Sequence, residues 1–412
     1  MIGYNEFYLD NGLQVIVHED PRSPIVCLNL LYKVGSRNED SEKTGFAHLF
    51  EHLMFGGSRH IPQFDEPLQA VGGDSNAFTN TDVTNYYITV PKNNVETAFW
   101  LESDRMLSLS FDPEVLEVQR KVVIEEFKQR YLNQPYGDVW LKLRPLAYQV
   151  HPYQWATIGK HIDHIEAATM DDVRSFFGQH YGPDNAVLVL AGGISEAEAI
   201  QLTEKWFGPV PAIGKSNGTL PKEPVQTAAR YLKLEDELPA NAIYKAYHMG
   251  PRLDGSYHAT DLLSDLLGRS SASYLHQELV KNHSLFSSIS GYVMGSVDPG
   301  LLVISGRLLE ETSFDAAEEA IDQVLDKVRQ GNIDPIDLER VKNQAESATA
   351  FSEVELLNRA MALAFAAFLG DVNLANEEIN MIRNVTADKM VQQAKTILRA
   401  ENCSTIHYQK SS

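Results

Sequence analysis

Cysteine is nearly absent from this chain. Its 412 residues include only Cys27 and Cys403, which lie near opposite ends, and no Cys-x-x-Cys pair or mixed Cys/His cluster occurs. A structural zinc site built on several thiolates is therefore excluded. Two buried, reduced thiols are the simplest interpretation. A reducing compartment fits them, although so few cysteines also suit a periplasm.

Long apolar segments are also missing. No run approaches the roughly 18 apolar residues that identify a membrane-spanning helix. The first residues, MIGYNEFYLDNGLQVIVHED, lack the basic stretch followed by an apolar one that marks a secretory signal. We therefore expect a cytoplasmic protein without a membrane span, or a periplasmic one if a leader has been removed.

Positive charge is scarce as well. The chain has 35 Lys and Arg against 56 Asp and Glu, which gives a formal net charge of −21. Nucleic acid is not an expected partner, because phosphate binding needs basic patches. An acidic, well-solvated surface explains the charge most simply. The alternative is a cavity that attracts cationic ligands.

Strand and helix patterns alternate along the whole chain, and one segment divides them. Residues 207–227, FGPVPAIGKSNGTLPKEPVQT, contain four prolines and three glycines with little apolar periodicity. The sequence therefore predicts a first domain at 1–208, a linker at 209–227 and a second domain at 228–412.

The two halves resemble a faint repeat. In the first, CLNLLYKVGSRNED precedes FAHLFEHLMFGG, and in the second AIYKAYHMGPRLDG precedes HATDLLSDLLGRSS. Aligning Gly56 with Gly268 places His48, Glu51 and His52 opposite Thr260, Leu263 and Ser264. A duplicated domain that keeps its chemistry in one copy has this pattern, although two halves with similar elements could also align by chance.

The segment GFAHLFEHLMFGG carries the strongest chemical signal. It is predicted to form a helix that Gly56 and Gly57 end. Positions i and i+4 lie on one face of a helix, so His48 and His52 can direct their imidazoles at one zinc ion. Glu51 flanks the same point, where a carboxylate could take a proton from a metal-bound water whose pKa zinc has lowered.

An ordinary amphipathic helix is the alternative interpretation of this segment. Its polar residues would then simply face solvent. However, the remaining positions are strongly apolar and include Phe46, Leu49 and Phe50. Such a helix is expected to be buried over most of its surface, and buried imidazoles and carboxylates need partners. The pattern therefore favours a metal site.

A catalytic zinc usually takes a third protein ligand. The predicted helix PEVLEVQRKVVIEEFKQRYLN offers Glu125 and Glu126. Glu126 shares a partly apolar stripe with Gln119, where a lone carboxylate would be costly. Glu125 lies about 100° away around the helix and is predicted to be solvated. We predict Glu126 as the ligand, with Glu125 as the alternative.

These residues give the chain a resemblance to a known family. HLFEH followed by RKVVIEEF resembles the H-x-x-E-H pattern of the pitrilysin-type (inverzincin) zinc metallopeptidases. The half-sized bacterial members, which look like subunits of mitochondrial processing peptidase, are the most similar. GSRNED, GGDSNAFTNTDVTNYYITVP, HPYQWATIG and LLGRSSASYLHQELV fit the family too, so the resemblance covers almost the whole chain.

The resemblance implies roles for individual residues. His48, His52 and Glu126 would bind zinc, and Glu51 would be the general base. The SNAFT segment would form an edge strand that pairs with an extended peptide substrate through Asn76, Ala77 and Phe78. The sequence alone instead favours a turn leading into a strand for NAFTNTD.

Three departures from the family pattern bear on the substrate site. The family often has a second glutamate seven residues before the zinc glutamate, and Gln119 occupies that position, so its supporting role is open. An Arg and a Tyr of the family that contact substrate are replaced by Tyr274 and Ser287. In similar two-chain peptidases a partner supplies that pair, so we expect a dimer, either a heterodimer with a metal-free chain or a homodimer.

The implied fold is α+β, with two homologous domains that each contain a mainly antiparallel sheet covered by helices on one face. The implied function is a zinc-dependent endopeptidase that cuts extended peptides in a chamber formed with a second chain. A non-catalytic structural or peptide-binding subunit is the main alternative. A zinc-dependent esterase or amidase is disfavoured by the predicted peptide-pairing strand.

Overall fold

The computed structural model describes residues 1–214 and 218–411, so Lys215, Ser216 and Asn217 of the predicted linker lie outside the described residues. The chain forms two compact units. Unit 1 comprises Met1–Gln129, Trp155–Pro221 and Phe351–Glu377, and unit 2 comprises Arg130–Gln154, Lys222–Ala350 and Glu378–Ser412. The predicted boundaries at 208 and 228 stay a prediction, and each unit also includes a segment from the other half of the sequence.

The strands are β1 (Asn5–Tyr8), β2 (Gln14–Glu19), β3 (Ile25–Tyr32), β4 (Asp74–Thr79), β5 (Thr84–Pro91), β6 (Ala186–Gly192), β7 (Arg230–Asp236), β8 (Ala242–His248), β9 (Phe286–Met294), β10 (Leu301–Leu308) and β11 (Cys403–Lys410).

The α-helices are α1 (Phe46–Leu53), α2 (Asp65–Ala70), α3 (Val95–Leu107), α4 (Pro113–Phe127), α5 (Val139–Ala147), α6 (Ile162–Glu166), α7 (Met170–His180), α8 (Glu196–Trp206), α9 (Tyr257–Gly268), α10 (Phe314–Arg329), α11 (Pro335–Ser352), α12 (Leu356–Phe368), α13 (Leu374–Arg383) and α14 (Ala387–Ile397). Two π-helical segments occur at Lys128–Leu132 and His276–Asn282.

The sheets of the two units have closely related topologies. The sheet of unit 1 has the order β1-β2-β6-β3-β5-β4, and the sheet of unit 2 has the order β7-β11-β8-β10-β9. Each contains one parallel pair, β2 with β6 and β11 with β7, and its other neighbours are antiparallel. In both units a strand is followed by a helix and then by the edge strand, as β3-α1-β4 and as β8-α9-β9. The predicted class, α+β with two homologous, mainly antiparallel domains, is confirmed.

Both faces of each sheet are covered, whereas the sequence led us to expect helices on one face. In unit 1, α12 packs on the face formed by Cys27, Leu31 and Val189. The opposite face packs against α1, α3 and α8. In unit 2, α5 covers one face, and α9, α10 and α14 lie in the core on the other. The expectation was wrong because central strands such as AVLVLAG are apolar at consecutive positions, which is typical of strands buried on both sides.

Both cysteines are buried and free, as predicted. Among the described residues, none of the helices combines the length and the apolar composition required to cross a bilayer.

Candidate metal centre

Helix α1 places three polar side chains on one side of an otherwise buried element. Phe46, Ala47, Leu49, Phe50 and Leu53 are buried, whereas His48, Glu51 and His52 are partly exposed. The helix begins after Gly45, whose backbone has the left-handed φ of +88°. Tyr86 of β5 lies beneath and donates its hydroxyl to the carbonyl of Phe50 at 3.4 Å. The sequence-based expectation of a largely buried helix is met by this packing.

Helix α4 brings the third polar group to α1. Asp112 caps its first turn by accepting the backbone N–H of Glu114, and Pro113 occupies its first position. Glu126 lies near the end of the helix, and its side chain is 18% exposed. Glu125 points elsewhere, because its side chain is 60% exposed and pairs with Lys128 at 2.7 Å. The structure therefore places Glu126 and not Glu125 beside the imidazoles.

The three candidate ligands converge on one point. Oε2 of Glu126 lies 3.6 Å from Nε2 of His48 and 3.5 Å from Nε2 of His52. One ligand atom from each of the three residues lies within 4.8 Å of the others. Two donor atoms that are each about 2.0–2.2 Å from one tetrahedral zinc ion are roughly 3.3–3.6 Å apart. The spacing and the two-nitrogen, one-oxygen donor set therefore fit a zinc ion with one coordination position left open.

Glu51 lies on the same face of α1 as the two histidines. It is partly buried, and its charge lies close enough to Tyr86 to act on that hydroxyl. Burial raises the pKa of Tyr86 well above its usual range, and the charge of Glu51 adds to this rise. Tyr86 therefore remains protonated beneath the helix, and the carboxylate of Glu51 lies on the same helix face as the candidate ligands.

The predicted peptide-pairing segment is an edge strand. Residues Asp74–Thr79 form β4, which pairs with β5 and ends the sheet of unit 1. Asn76 and Phe78 are exposed, and Ala77 is half-buried. The side-chain oxygen of Asn76 accepts the backbone N–H of Ala77 at 2.8 Å. Of the segment NAFTNTD, for which a turn leading into a strand was the alternative, residues 76–79 belong to β4 and residues 80–82 lie in the turn that leads into β5.

The three positions at which the sequence departs from the family pattern lie on separate elements. Gln119 lies on α4, two turns before Glu126. The hydroxyl of Tyr274 accepts the backbone N–H of Asp334, and the hydroxyl of Ser287 donates to the carbonyl of Arg307. Tyr274 and Ser287 thus make structural contacts within unit 2.

The second unit holds no equivalent of the three-residue cluster in the part of the chain that the structure describes. Helix α9 is the counterpart of α1, and Thr260, Leu263 and Ser264 are buried on it. The faint repeat seen in the sequence therefore agrees with a scaffold that carries its ionisable cluster in one copy.

Sequence reasoning missed a carboxylate at the start of α1. Glu39 is buried, and it accepts hydrogen bonds from the backbone N–H groups of Gly45 and Ala47 and from the indole N–H of Trp155. The segment GSRNED was noted for its resemblance only. A contact from a side chain to a distant backbone group leaves no periodic signal, so the residue pattern alone could not have identified it.

Comparisons with known proteins identify relatives over most of the chain. Residues 14–158 match the family described as Insulinase (Peptidase family M16), and residues 167–345 match the Peptidase M16 inactive domain. The zinc protease PqqE of Helicobacter pylori is 31% identical over 340 residues, which are 81% of this chain and 76% of that protein. The mitochondrial-processing peptidase subunit beta of Saccharomyces cerevisiae is 24% identical over 371 residues, with 84% of this chain and 77% of that protein covered. The crystal structure of a protease from Helicobacter pylori superposes with a TM-score of 0.94 and 26% identity over 99% of this chain and 100% of that one.

Proposed function

Because this chain belongs to the M16 (insulinase) family of peptidases, we propose that it is a zinc-dependent endopeptidase that hydrolyses extended peptides. The observation that carries the proposal is the convergence of His48, His52 and Glu126, with Glu51 on the same helix face. The relatives named zinc proteases support the choice of metal and of reaction.

Each residue has one task in this proposal. His48, His52 and Glu126 hold the metal, which when bound supplies Lewis-acid polarisation of the scissile carbonyl and acidifies water. Glu51 is the general base and then the general acid: its carboxylate accepts a proton from the attacking water and delivers it to the leaving nitrogen. Gln119 is proposed to support the site from α4 in the position where the family often has a glutamate.

Glu51→Gln tests the proposed base. The amide has nearly the shape of the carboxylate but cannot accept the proton, so peptide hydrolysis should fall by roughly 10²–10⁴-fold while zinc content is unchanged. Glu125→Gln is the matched control, because it removes an equivalent charge from an exposed position, and it should keep both activity and zinc. A Glu51→Gln variant that cuts at the wild-type rate would remove Glu51 from the mechanism.

The substrate is proposed to bind as an added strand on β4. Asn76, Ala77 and Phe78 lie along this edge, where an extended peptide would add as a further strand once Oδ1 of Asn76 releases the N–H of Ala77. Only a segment in extended conformation can form such a ladder, so the proposed substrates are unfolded peptides.

A second chain is proposed to complete the enzyme. The substitutions at Tyr274 and Ser287 leave this chain without the Arg and Tyr that the resemblance implies for substrate contact. A dimer, either with a homologous metal-free chain or with a second copy, would enclose the peptide in a chamber. The similarity to a subunit of a processing peptidase supports such an arrangement.

A non-catalytic subunit is the second candidate function. The match of residues 167–345 to a domain described as inactive favours it, although that region lacks the candidate ligands in any case. The alternative predicts that the isolated chain cleaves no peptide and that any cleavage measured with a partner is unchanged by Glu51→Gln, so the assay of Glu51→Gln against the wild type decides between them. Of the two compartments predicted from the sequence, we propose the cytoplasm, which cell fractionation tests.

A further inference from the structure

We propose that Glu39 is a positioning residue for the metal site, because its buried carboxylate fixes the first turn of α1 and thereby the imidazole of His48. The inference rests on the proposed function, since it takes His48 as a metal ligand. Glu39 itself is proposed neither as a metal ligand nor as the base. It acts through the backbone that carries them.

The carboxylate meets the helix through its first N–H groups. Oε2 of Glu39 accepts the N–H of Gly45 at 2.9 Å, and Oε1 accepts the N–H of Ala47 at 2.8 Å. Ala47 directly precedes His48 in the chain. The first N–H groups of a helix have no partner within the helix, and a negative charge at this end is favoured by the helix dipole. Glu39 lies outside the helix, but it accepts the backbone N–H groups that the side chain of an N-cap residue normally accepts.

Helix α1 cannot obtain this cap from its own N-cap residue. Gly45 has a φ of +88°, which residues with a side chain rarely adopt. A Cβ at this position would lie 2.6 Å from the side chain of Ile165 and 2.7 Å from the carbonyl oxygen of Ile158. The usual serine, threonine or aspartate cap is thus excluded by space and by backbone conformation. The helix has only eight residues, so its first turn makes up a large part of its length.

The carboxylate is held in a pocket of hydrogen-bond donors. The indole N–H of Trp155 lies 3.0 Å from Oε2 of Glu39 and 2.9 Å from the carbonyl oxygen of Ser36. Burial raises the pKa of Glu39, whereas the hydrogen bonds from Ala47, Gly45 and Trp155 lower it and favour the ionised carboxylate. A carboxyl group kept in so costly a position, with donors on both oxygens, indicates a specific role for its geometry.

A second contact fastens the segment that leads into α1. The hydroxyl of Thr44 accepts the backbone N–H of Lys160 at 2.8 Å, and Nδ1 of His164 lies 2.9 Å from the same hydroxyl. The chain before α1 is thus attached to residues 155–164 at two points, one through Trp155 and one through Thr44. Because this segment is fixed, the hydrogen bonds of Glu39 determine the position of the first turn of α1. His48 is the third residue of that turn.

The test measures metal binding, which a role in stability alone would not change. Wild type, Glu39→Gln and Glu39→Ala are titrated with zinc in competition with a chromogenic chelator, and the visible absorption of the cobalt(II)-loaded proteins is recorded. The amide in Glu39→Gln would keep one acceptor oxygen but turn an N–H₂ group towards the other donor. The control is Glu42→Gln, which removes an exposed carboxylate three residues further along the same loop.

We expect the zinc dissociation constant to rise by about tenfold or more for both Glu39 variants. We also expect the cobalt(II) bands to shift, whereas Glu42→Gln should match the wild type in both measurements. If the Glu39 variants do not fold, Trp155→Phe removes only the indole donor and should give an intermediate loss of affinity.

The role of Glu39 would be overturned if the Glu39 variants bound zinc as tightly as the wild type and gave unchanged cobalt(II) spectra. If those variants do not fold, the same result for Trp155→Phe would overturn it. The proposed function would remain intact in both cases. A wild-type chain that binds no metal would instead overturn the proposed function, and this inference with it.

Discussion

Arg105 is fully buried in unit 1, close to the helix that carries the two histidines. Its guanidinium pairs with the buried carboxylate of Glu102, with Nε 2.7 Å from Oε2. It also lies over the rings of Phe64 and Tyr86, at 4.5 and 4.4 Å from their centroids. A charge in such surroundings depends on its counter-ion, because water does not reach it.

Glu102→Gln should therefore be strongly destabilising. It leaves the charge of Arg105 buried without compensation, which costs about 3–5 kcal/mol of unfolding free energy. The comparison is Glu125→Gln, which breaks the exposed pair with Lys128 and should have a far smaller effect, because solvent screens that pair. Urea denaturation of both variants measures the difference. Equal losses of unfolding free energy in the two variants would show that burial does not determine how much these ion pairs stabilise the protein.

A second group of buried ionisable residues makes the free energy of unfolding depend on pH. Glu318 of α10 accepts hydrogen bonds from Nε2 of His407 at 2.6 Å and from Nζ of the buried Lys245 at 2.8 Å. Burial acts to raise the pKa of Glu318, but these two partners lower it from 4.5 to about 2. Because the folded-state pKa is depressed, the stabilisation is present above pH 4.5 and is lost as the pH falls towards 2.

Glu318→Gln should remove this dependence. Between pH 6 and pH 3 the wild type is expected to lose about 2 kcal/mol of unfolding free energy through this group, and the variant should lose none of it. Urea denaturation of the two proteins at both pH values measures the change in their difference. A difference that stays constant with pH would mean that Glu318 titrates normally in the folded protein.

Single residues of the site were predictable where helical phase separates them. Phase placed Glu126 on the partly apolar stripe and Glu125 in solvent, and the structure has both where they were expected. Glu39 was not predictable, because its partners are backbone N–H groups whose position depends on the turn before α1. The roles assigned to His48, His52, Glu51 and Glu126 stay predictions until metal and activity are measured.

At the scale of elements, β4 is one of the two edge strands of the unit 1 sheet, and β1 is the other. Strand β4 pairs with β5 on one side only, and its side chains alternate between exposed and half-buried. Edge strands of this kind can accept a further strand through main-chain hydrogen bonds. In a β-ladder only every second residue of the incoming strand directs its N–H at the neighbour.

A series of substrate peptides with one N-methyl group at successive positions tests strand addition. Methylation should raise KM by about tenfold or more at alternate positions, where the lost N–H would donate to β4, and should have little effect between them. Steady-state kinetics with the wild-type enzyme measures the pattern. KM values that do not alternate along the peptide would contradict binding of substrate through Asn76, Ala77 and Phe78.

Most elements were predictable from periodicity, but their partners were not. The helix patterns around α1 and α4 correspond to observed elements, although the predicted long helix from Pro113 ends at Phe127 and continues as a π-helical turn. Helices α5 and α12 pack in the unit opposite to their half of the sequence. Nothing local in an apolar helix specifies which of two similar sheets it covers.

At the scale of the whole molecule, the chain is a duplicated fold with one candidate metal site among its described residues. Five strands of the unit 1 sheet, β2-β6-β3-β5-β4, correspond in order to the five strands of the unit 2 sheet, each sheet has one parallel pair, and the cluster of candidate ligands belongs to unit 1. The family resemblance inferred from HLFEH and RKVVIEEF is confirmed by the matches over both halves. The duplication was detectable because a strand followed by a helix and a glycine recurs in both halves. No recurring sequence pattern indicates that residues 130–154 and 351–377 each belong to the unit formed mainly by the other half of the sequence.

The proposed chamber makes a prediction for the assembly. If a second copy completes the enzyme, light scattering should give twice the mass of the chain, and activity per chain should fall on dilution below the dissociation constant. If a metal-free partner is needed, the isolated chain should be monomeric and nearly inactive until that partner is added. A monomer that is fully active at all dilutions would contradict the requirement for a second chain.

The zinc content of Glu126→Gln tests the metal centre most directly. Glu126 comes from a different helix than the two histidines, so its substitution asks whether three side chains meet at one ion. We expect about one zinc per chain by mass spectrometry in the wild type and in the exposed control Glu125→Gln, and much less than one after gel filtration of Glu126→Gln. A wild type without zinc, or a Glu126→Gln variant that retains it fully, would contradict the account.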